Sequence, residues 1–502
     1  VAKRRIAGNT ANHTLSRRYD PPVAKFRETR ERELKLAVPP GFALPEIDGE
    51  PLAPTTFTST YHDSADRALA RAGITLRRRV HNRRGLWQLK LPGEGERLEL
   101  ELPGGPEAPP TELADLLAGI LRGRALEAAA VLRTHRAGIR AHDNGRPVAD
   151  VTVDEVAIMD GRRVRGRFVE LEVEALESGG DALPDIGRAL VAAGAEPGDG
   201  RPKAFRAMGY FPVEPDSPPD WAPPLEHVRA LLARQVHVLL AHDPGTRLGE
   251  DPEELHQARV ATRRLRAVLR AARSLLDPDW ARALRSELSW VAGAFGPVRD
   301  LDVLLERLRG ELRSLEPEES AAGARFLELL GEERETDRAA MLDVMASARY
   351  GRLLTQLEDA AAAPRSRESH VSLHDIAALE FRKLRKAVRA LPANPTDDEL
   401  HAVRVRGKRA RYAAELAEGA AGKPARRFVR DAKRFQDVIG EHQDAVVAEV
   451  RIRGLLDRVS DPLAHLAAGR IIEREQERRR EARRLFPAAW TALETSGRKA
   501  WS

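Results

Sequence analysis

The run Arg30-Glu31-Arg32-Glu33-Leu34-Lys35-Leu36-Ala37-Val38 decides how the first part of this chain folds. In an extended strand, residues two apart share a face. Glu31, Glu33 and Lys35 therefore line one side, and Leu34 and Leu36 the other. The alternation recurs downstream. Arg77 and Arg79 share a face of TLRRRV (75–80), and Glu99 and Glu101 share one in RLELELP (97–103). Asp150, Thr152 and Asp154 share a face of VADVTVDEVAI (148–158), as do Glu170, Glu172 and Glu174 in FVELEVEAL (168–176). Taken singly, each is a half-buried strand with its charged face in water. Together they mix acids and bases on at least five strands, which favours a sheet closed into a barrel with charge inside. Unpaired buried charge costs several kcal/mol per ion. Divalent metal would neutralise the Glu pairs, and phosphate oxygens would neutralise Arg and Lys.

Working outward, the chain of 502 residues is too long for one core and predicts two or three domains. Residues 1–24 read as a flexible basic tail without an apolar stretch, so no secretory signal is expected. Residues 25–212 alternate strands with Gly/Pro punctuation and two helical patches. EPDSPPDWAPP, at the end of a 213–224 segment, reads as a proline-rich linker, and 225–502 has a helical period throughout. Strands first and helices second predict separate domains. No apolar run reaches the ~18 residues of a membrane span. There are no cysteines, which excludes disulfides and thiolate sites. The net charge of +6 conceals local basic stripes.

One stripe lies in ELHQARVATRRLR (254–266), which returns as ELHAVRVRGKRAR (399–411); GPVRDLDV (296–303) is answered by GEHQDAVV (440–447). Matched blocks in the same order predict a duplicated helical bundle. On a helix, His256, Arg259, Arg263 and Arg266 fall on one narrow face, and His401, Arg404, Lys408 and Arg411 repeat that spacing. A solvated basic face is the plain alternative, with Asp300 and Asp444 as internal partners. Like charges so stacked repel, and Arg forks suit phosphate oxygens, so a stripe kept in both copies invites a polyanion.

The first part resembles the CYTH domain, or triphosphate tunnel metalloenzyme fold. The match rests on Glu31-x-Glu33-x-Lys35, YHDSADRALARAGITLRRR (61–79), WQLKLP (87–92), RLELELP (97–103), VDE (153–155) and ELE (170–172). The resemblance implies an eight-stranded antiparallel barrel that hydrolyses inorganic triphosphate with Mg²⁺ or Mn²⁺, short polyphosphate and nucleoside triphosphates being competing substrates. It implies Glu31, Glu33, Asp154, Glu170 and Glu172 at the metal and Lys35, Arg77, Arg79 and Lys90 on phosphate. For the late tunnel arginine in VLRTHRAG (131–138), Arg133 is favoured over Arg136. Lys203 matches the family's late Lys, although Pro202 replaces the usual Ser.

The helical part resembles the CHAD domain, known for polyphosphate binding, and CHAD commonly follows CYTH. This implies polyphosphate contacts from His256, Arg259, Arg263, Arg266, His401, Arg404, Lys408 and Arg411. A cytoplasmic protein is expected, free or at polyphosphate granules, with oligomeric state open. Rival readings are a non-catalytic polyphosphate-binding protein, an adenylate cyclase-like enzyme on the same barrel, and a nucleic-acid binder. The last is disfavoured because aromatic content is only 5% and the stripes lack interleaved aromatics.

Overall fold

A computed structural model describes residues 26–39, 42–93, 96–176, 180–212 and 218–501. The expected tail (1–24) and residues 213–217 of the expected linker lie outside these residues. Ten strands form one sheet: β1 (Arg27–Glu31), β2 (Glu33–Ala37), β3 (Gly49–Asp63), β4 (Thr75–His81), β5 (Arg84–Leu91), β6 (Arg97–Pro103), β7 (Glu127–Asp143), β8 (Arg146–Asp160), β9 (Arg163–Ala175) and β10 (Glu196–Pro197). The order is β1-β6-β5-β4-β3-β7-β8-β9-β2-β10.

This corrects the expectation of eight strands closed into a barrel. Arg32 interrupts the ladder inside the opening run. Its first half, β1, pairs antiparallel with β6, and its second half, β2, pairs antiparallel with β9. The pair Glu196–Pro197 then adds a short strand on β2. No ladder closes the sheet among the described residues, yet its two flanks are joined covalently at Arg32, and the sheet curls around a lumen. Two hairpins set the curl. β4 turns into β5 through Asn82 and Arg83 at φ of 48° and 64°, and β7 turns into β8 through Asn144 and Gly145 at 52° and 76°. Paired positive φ values match the right-handed twist of the flanking strands, and Asn and Gly tolerate them best.

With charge inside, the apolar faces point outward and need cover. Four short helices supply it: α1 (Ala68–Arg71), α2 (Thr111–Leu116), α3 (Ala118–Leu121) and α4 (Leu183–Ala192); a fifth, α5 (Lys203–Met208), sits on the inner side. Leu76, Trp87, Leu89 and Leu100 pack with Leu69, Leu113, Leu117 and Ile120. Leu36, Val151, Leu171 and Val173 pack with Leu190 of α4. On the inner face, beyond the charged residues, Tyr61, Leu132 and Val156 pack with Ala204 and Phe205, which anchors α5 there.

The second part is helical: α6 (Pro224–Ala241), α7 (Asp243–Leu248), α8 (Pro252–Ala271), α9 (Pro278–Leu312), α10 (Pro317–Ala346), α11 (Ala348–Ala362), α12 (Leu373–Arg389), α13 (Asp397–Leu455) and α14 (Pro462–Trp501). Capping boxes at Ser372 and Thr396 start α12 and α13. The repeated blocks occupy α8 and α9 in the first copy and the two arms of α13 in the second. A loop separates α8 from α9, whereas Gly422, at φ 65°, kinks α13. Gly407 has a packing cause: a Cβ there would stand 3.1 Å from the ring of Phe435 on the other arm. No helix among the described residues is long and apolar enough to cross a membrane.

The two parts meet at a buried junction. Asp243 is fully buried and accepts hydrogen bonds from Arg247 Nε (2.7 Å) and the Tyr350 hydroxyl (2.8 Å). A Cβ on Gly119 of α3 would lie 2.2 Å from the Asp243 carboxylate, so the approach requires glycine. Glu358 of α11 pairs with Arg122 and Arg124 from the strand-rich side.

Trp87 is fully buried behind the tunnel wall, and its Nε1 donates to the Gly105 carbonyl at 2.9 Å. Trp87→Ala is expected to cost the strand-rich part about 3–5 kcal/mol. Chemical denaturation followed by far-UV circular dichroism checks this; a loss under about 1 kcal/mol contradicts the packing.

Candidate functional site

The lumen holds a cavity of about 230 Å³, lined among the described residues by eight basic and seven acidic side chains. Period-two alternation puts them there, because each contributing strand turns its charged face inward. Glu31, Glu33, Lys35, Arg77, Arg79, Lys90, Asp154, Glu172 and Lys203 all line it. Glu170 lies at its wall, where Lys203 and Arg206 reach it at 2.8 and 3.1 Å.

The contacts fall into two groups. On the β1–β5–β6 side, Lys90 Nζ stands 2.5 Å from Glu31 and 3.2 Å from Glu99. Arg77 donates to Gln88 Oε1 at 2.7 Å and to the Tyr61 hydroxyl at 3.1 Å. On the β2–β8–β9 side, Lys203 Nζ lies 3.0 Å from Asp154, 2.8 Å from Glu170 and 2.5 Å from Glu172. Lys35 Nζ adds Glu172 at 3.0 Å and Glu33 at 3.6 Å. Arg136 grips Asp154 through two hydrogen bonds of 2.7 Å and reaches Glu172 at 2.8 Å.

Crowding shifts the titrations. Burial and then the hydrogen bond with Glu99 raise Glu31. Burial pulls Glu99 the same way, but the Glu31 hydrogen bond, Lys90 and Arg77 overcome it and hold Glu99 low. Burial thus favours the neutral form of Glu31, and the cations beside Glu99 favour its charged form. Burial would also raise Glu172, yet Lys203, Lys35 and Arg136 hold it well below the usual carboxylate range. Arg79, stacked 3.9 Å over the Phe57 ring, is pushed down to about 10 by burial and by Arg77 and Arg136. Cations that depress one another in this way favour an anion between them.

One expectation is corrected. Arg133 does not face the lumen; it is exposed on the outer face of β7. Leu132, Thr134 and Arg136 share the inner face by the same alternation, so Arg136 is the tunnel arginine. Sequence reading also passed over Arg97, Gln88 and Arg206. Arg97 was legible, since it precedes Glu99 by two positions on one strand face, and Arg206 follows Lys203 by three on one helix turn. Gln88 carries no charge signal, although it shares a strand face with Lys90 two positions on; its side chain bonds Arg77 and Glu101.

The resemblance implies a divalent metal. No three carboxylate or imidazole groups among the described residues stand gathered as a ready metal site. The donor chemistry nevertheless fits. Asp154, Glu170 and Glu172 converge within 3.0 Å on a single cationic point, Lys203 Nζ. Buried Glu99 Oε1 lacks a hydrogen-bond partner. Converging carboxylate oxygens suit Mg²⁺ or Mn²⁺.

In the helical part the two repeats make matching contacts. Arg259 pairs with Asp300 at 2.8 Å and Arg404 with Asp444 at 4.0 Å. Arg299 donates to His256 at 3.2 Å, while Gln443, at the matching place, bonds His401 at 2.7 Å. Part of each stripe is thus paired internally. The remainder is not: Arg263, Arg266 and Lys408 line a cavity of about 330 Å³ with Arg270, Arg285 and Arg409. The Nε atoms of Arg263, Arg285 and Arg409 are buried there without hydrogen-bond partners. Arg411 stands aside, near Glu415 at 3.6 Å and stacked on Tyr412.

Comparison with known proteins agrees with this division. The CYTH domain family matches residues 29–196 and the CHAD domain family residues 230–453. Uncharacterized protein Rv2226 of Mycobacterium tuberculosis is 29% identical over 482 residues, covering 88% of this chain and 90% of its own. PptA from Streptomyces chartreusis superposes with a TM-score of 0.46 at 24% identity, over 54% of this chain and 100% of its own. The CHAD domain from the plant Ricinus communis gives 0.45 at 25% identity, over 57% and 97%.

Burial and then Arg404 and Arg263 push Lys408 down to about 7. Its ordinary value is 10.5, so between those pH values the unfolded chain binds more protons than the folded one. Stability should therefore rise with pH through this window, the cost of burying the ammonium being full below it. Lys408→Met is expected to raise the melting temperature at pH 6–7 and to flatten the rise; an unchanged pH profile in scanning calorimetry contradicts this.

Proposed function

On the premise that this chain carries a CYTH domain followed by a CHAD domain, we propose that its tunnel hydrolyses inorganic triphosphate or related short polyphosphates and nucleoside triphosphates, while its helical part binds polyphosphate. The observation that carries this reading is the tunnel lining. Phosphate-matching cations and buried carboxylates share one cavity of about 230 Å³. Neither set alone would suit a substrate that arrives as a polyanion with its counter-cation.

Phosphoryl transfer asks for positioning and charge neutralisation more than for covalent chemistry. Arg77, Arg79 and Lys90 would bind the phosphate oxygens from the β4–β5 wall. Arg136 would add a guanidinium held in place by Asp154. Glu33, Asp154, Glu170 and Glu172 would hold Mg²⁺ or Mn²⁺. That metal supplies neutralisation of the phosphate oxygens and an acidified water at neutral pH. In the helical part, the unpartnered guanidinium groups around Arg263 and Lys408 offer polyphosphate a desolvated cationic surface, where Arg forks match phosphate best. A cytoplasmic place, free or at polyphosphate granules, goes with this reading.

The test is phosphate release from triphosphate, short polyphosphate and ATP with Mg²⁺ or Mn²⁺, alongside an assay for cyclic AMP. Release from at least one substrate is expected; none from any of them, or cyclic AMP from ATP, refutes the assignment. Glu172→Gln should lower the rate about 100-fold or more. Arg136→Ala should lower it about 10- to 100-fold, whereas Arg133→Ala should stay within about twofold. Equal losses at the two arginines would contradict the inward placement of Arg136.

A further inference from the structure

Lys203 opens α5, directly after Pro202, and its ammonium is the point where the three carboxylates of the β8–β9 wall converge. The distances are 3.0 Å to Asp154, 2.8 Å to Glu170 and 2.5 Å to Glu172. Glu170 Oε2 is buried and lies at ion-pair distance from Lys203 without a hydrogen bond to satisfy it. The contact is one of charge in a socket rather than of directed bonds. Around the same three carboxylates stand Lys35, Arg136 and Arg206, so with Lys203 every carboxylate of the cluster is already matched by cations.

A hard divalent cation would bond the same oxygens at about 2.0–2.6 Å. It cannot share that point with the ammonium. Of the four resident cations, Arg136 is fixed by its two-pronged grip on Asp154, Lys35 pairs with Glu170 and Glu172 but not Asp154, and Arg206 pairs with Glu170. Lys203 holds all three oxygen sets on a flexible four-carbon stem, while Ala204 and Phe205 beside it are locked in the core. The backbone stays; the ammonium can swing.

We infer that Lys203 is a resident counter-cation which must leave its carboxylates for a divalent metal to enter, so that metal and phosphate anion bind this tunnel cooperatively through one side chain. The inference rests on the metal reading proposed above. Metal alone would add two charges to carboxylates already matched by cations and expel an ammonium with no anion to receive it. A phosphate chain in the tunnel takes up both the metal's surplus charge and the displaced ammonium. By linkage, each ligand then tightens the other by the same factor.

The experiment measures Mn²⁺ binding by electron paramagnetic resonance, with and without the non-hydrolysable imido analogue of triphosphate. It uses wild-type protein, Lys203→Met and Lys90→Gln. For the wild type, the analogue should tighten Mn²⁺ about tenfold or more, and Mn²⁺ should tighten the analogue equally. For Lys203→Met, Mn²⁺ alone should bind about tenfold tighter than to wild type, and the mutual tightening should shrink towards none. Lys90→Gln, which removes a charge elsewhere in the tunnel, should change Mn²⁺ affinity much less. Equal gains in the two variants, or an unchanged Lys203→Met, overturn the inference while leaving the metal reading intact. Absence of Mn²⁺ binding to all three proteins, with or without the analogue, removes the metal reading and this inference with it. Should Lys203→Met fail to fold, the wild-type linkage still decides, since no mutual tightening there overturns the proposal.

Discussion

A curled sheet that faces its charges inward sets the terms for everything else in the first part of the molecule. In an ordinary globular sheet the apolar face forms the core and the polar face meets water. Here acids and bases meet inside, where each must find an opposite charge because water is scarce. Lys203, Lys35 and Arg136 against Asp154, Glu170 and Glu172 is the densest instance. The apolar outer face then needs covering, which is why α1 to α4 are pinned around the sheet, while α5 packs against its inner face. Pro202, ahead of Lys203, belongs to the same logic: it starts a helix whose first side chain goes into the lumen and whose next two go into the wall.

Much of this was legible before any coordinates, because period two is a hard rule. Once Glu31, Glu33 and Lys35 are placed on one face, the inward set on the other strands follows, and the cavity lining bears out the alternation. What could not be read is informative in physical terms. Arg133 and Arg136 have opposite parity, and in a segment with three bases among eight residues only strand pairing decides which parity faces in. The strand count failed at Arg32 for a related reason. A single extended run can change partners midway, and no local signal marks the exchange.

The helical part obeys a different economy. Its duplication is written in the sequence, and the structure returns it as matched contacts: His with the residue before each Asp, and Arg with the Asp itself. Half of each basic stripe is thereby committed to holding the two helical segments of its own repeat together. Of the rest, Arg263 and Arg266 from α8 and Lys408 from α13 converge on one cavity, where Arg285 of α9 and Arg409 of α13 join them. Arg285 and Arg409 lie outside the matched stripe positions, so a periodicity argument on α8 and the first arm of α13 could not reach them. They join only because the helices cross there.

The junction at Asp243 and Gly119 carries a last consequence. A side chain as small as a methyl group would not fit between the two parts, so the distance from lumen to helical cavity is set by packing rather than by a tether. On the proposed reading, the two phosphate-binding cavities then act as the fixed jaws of a caliper. A short anion can sit in one jaw or the other, and only a chain long enough to bridge the gap gains from both. Length selectivity would come from rigidity itself, with no contact dedicated to counting phosphates.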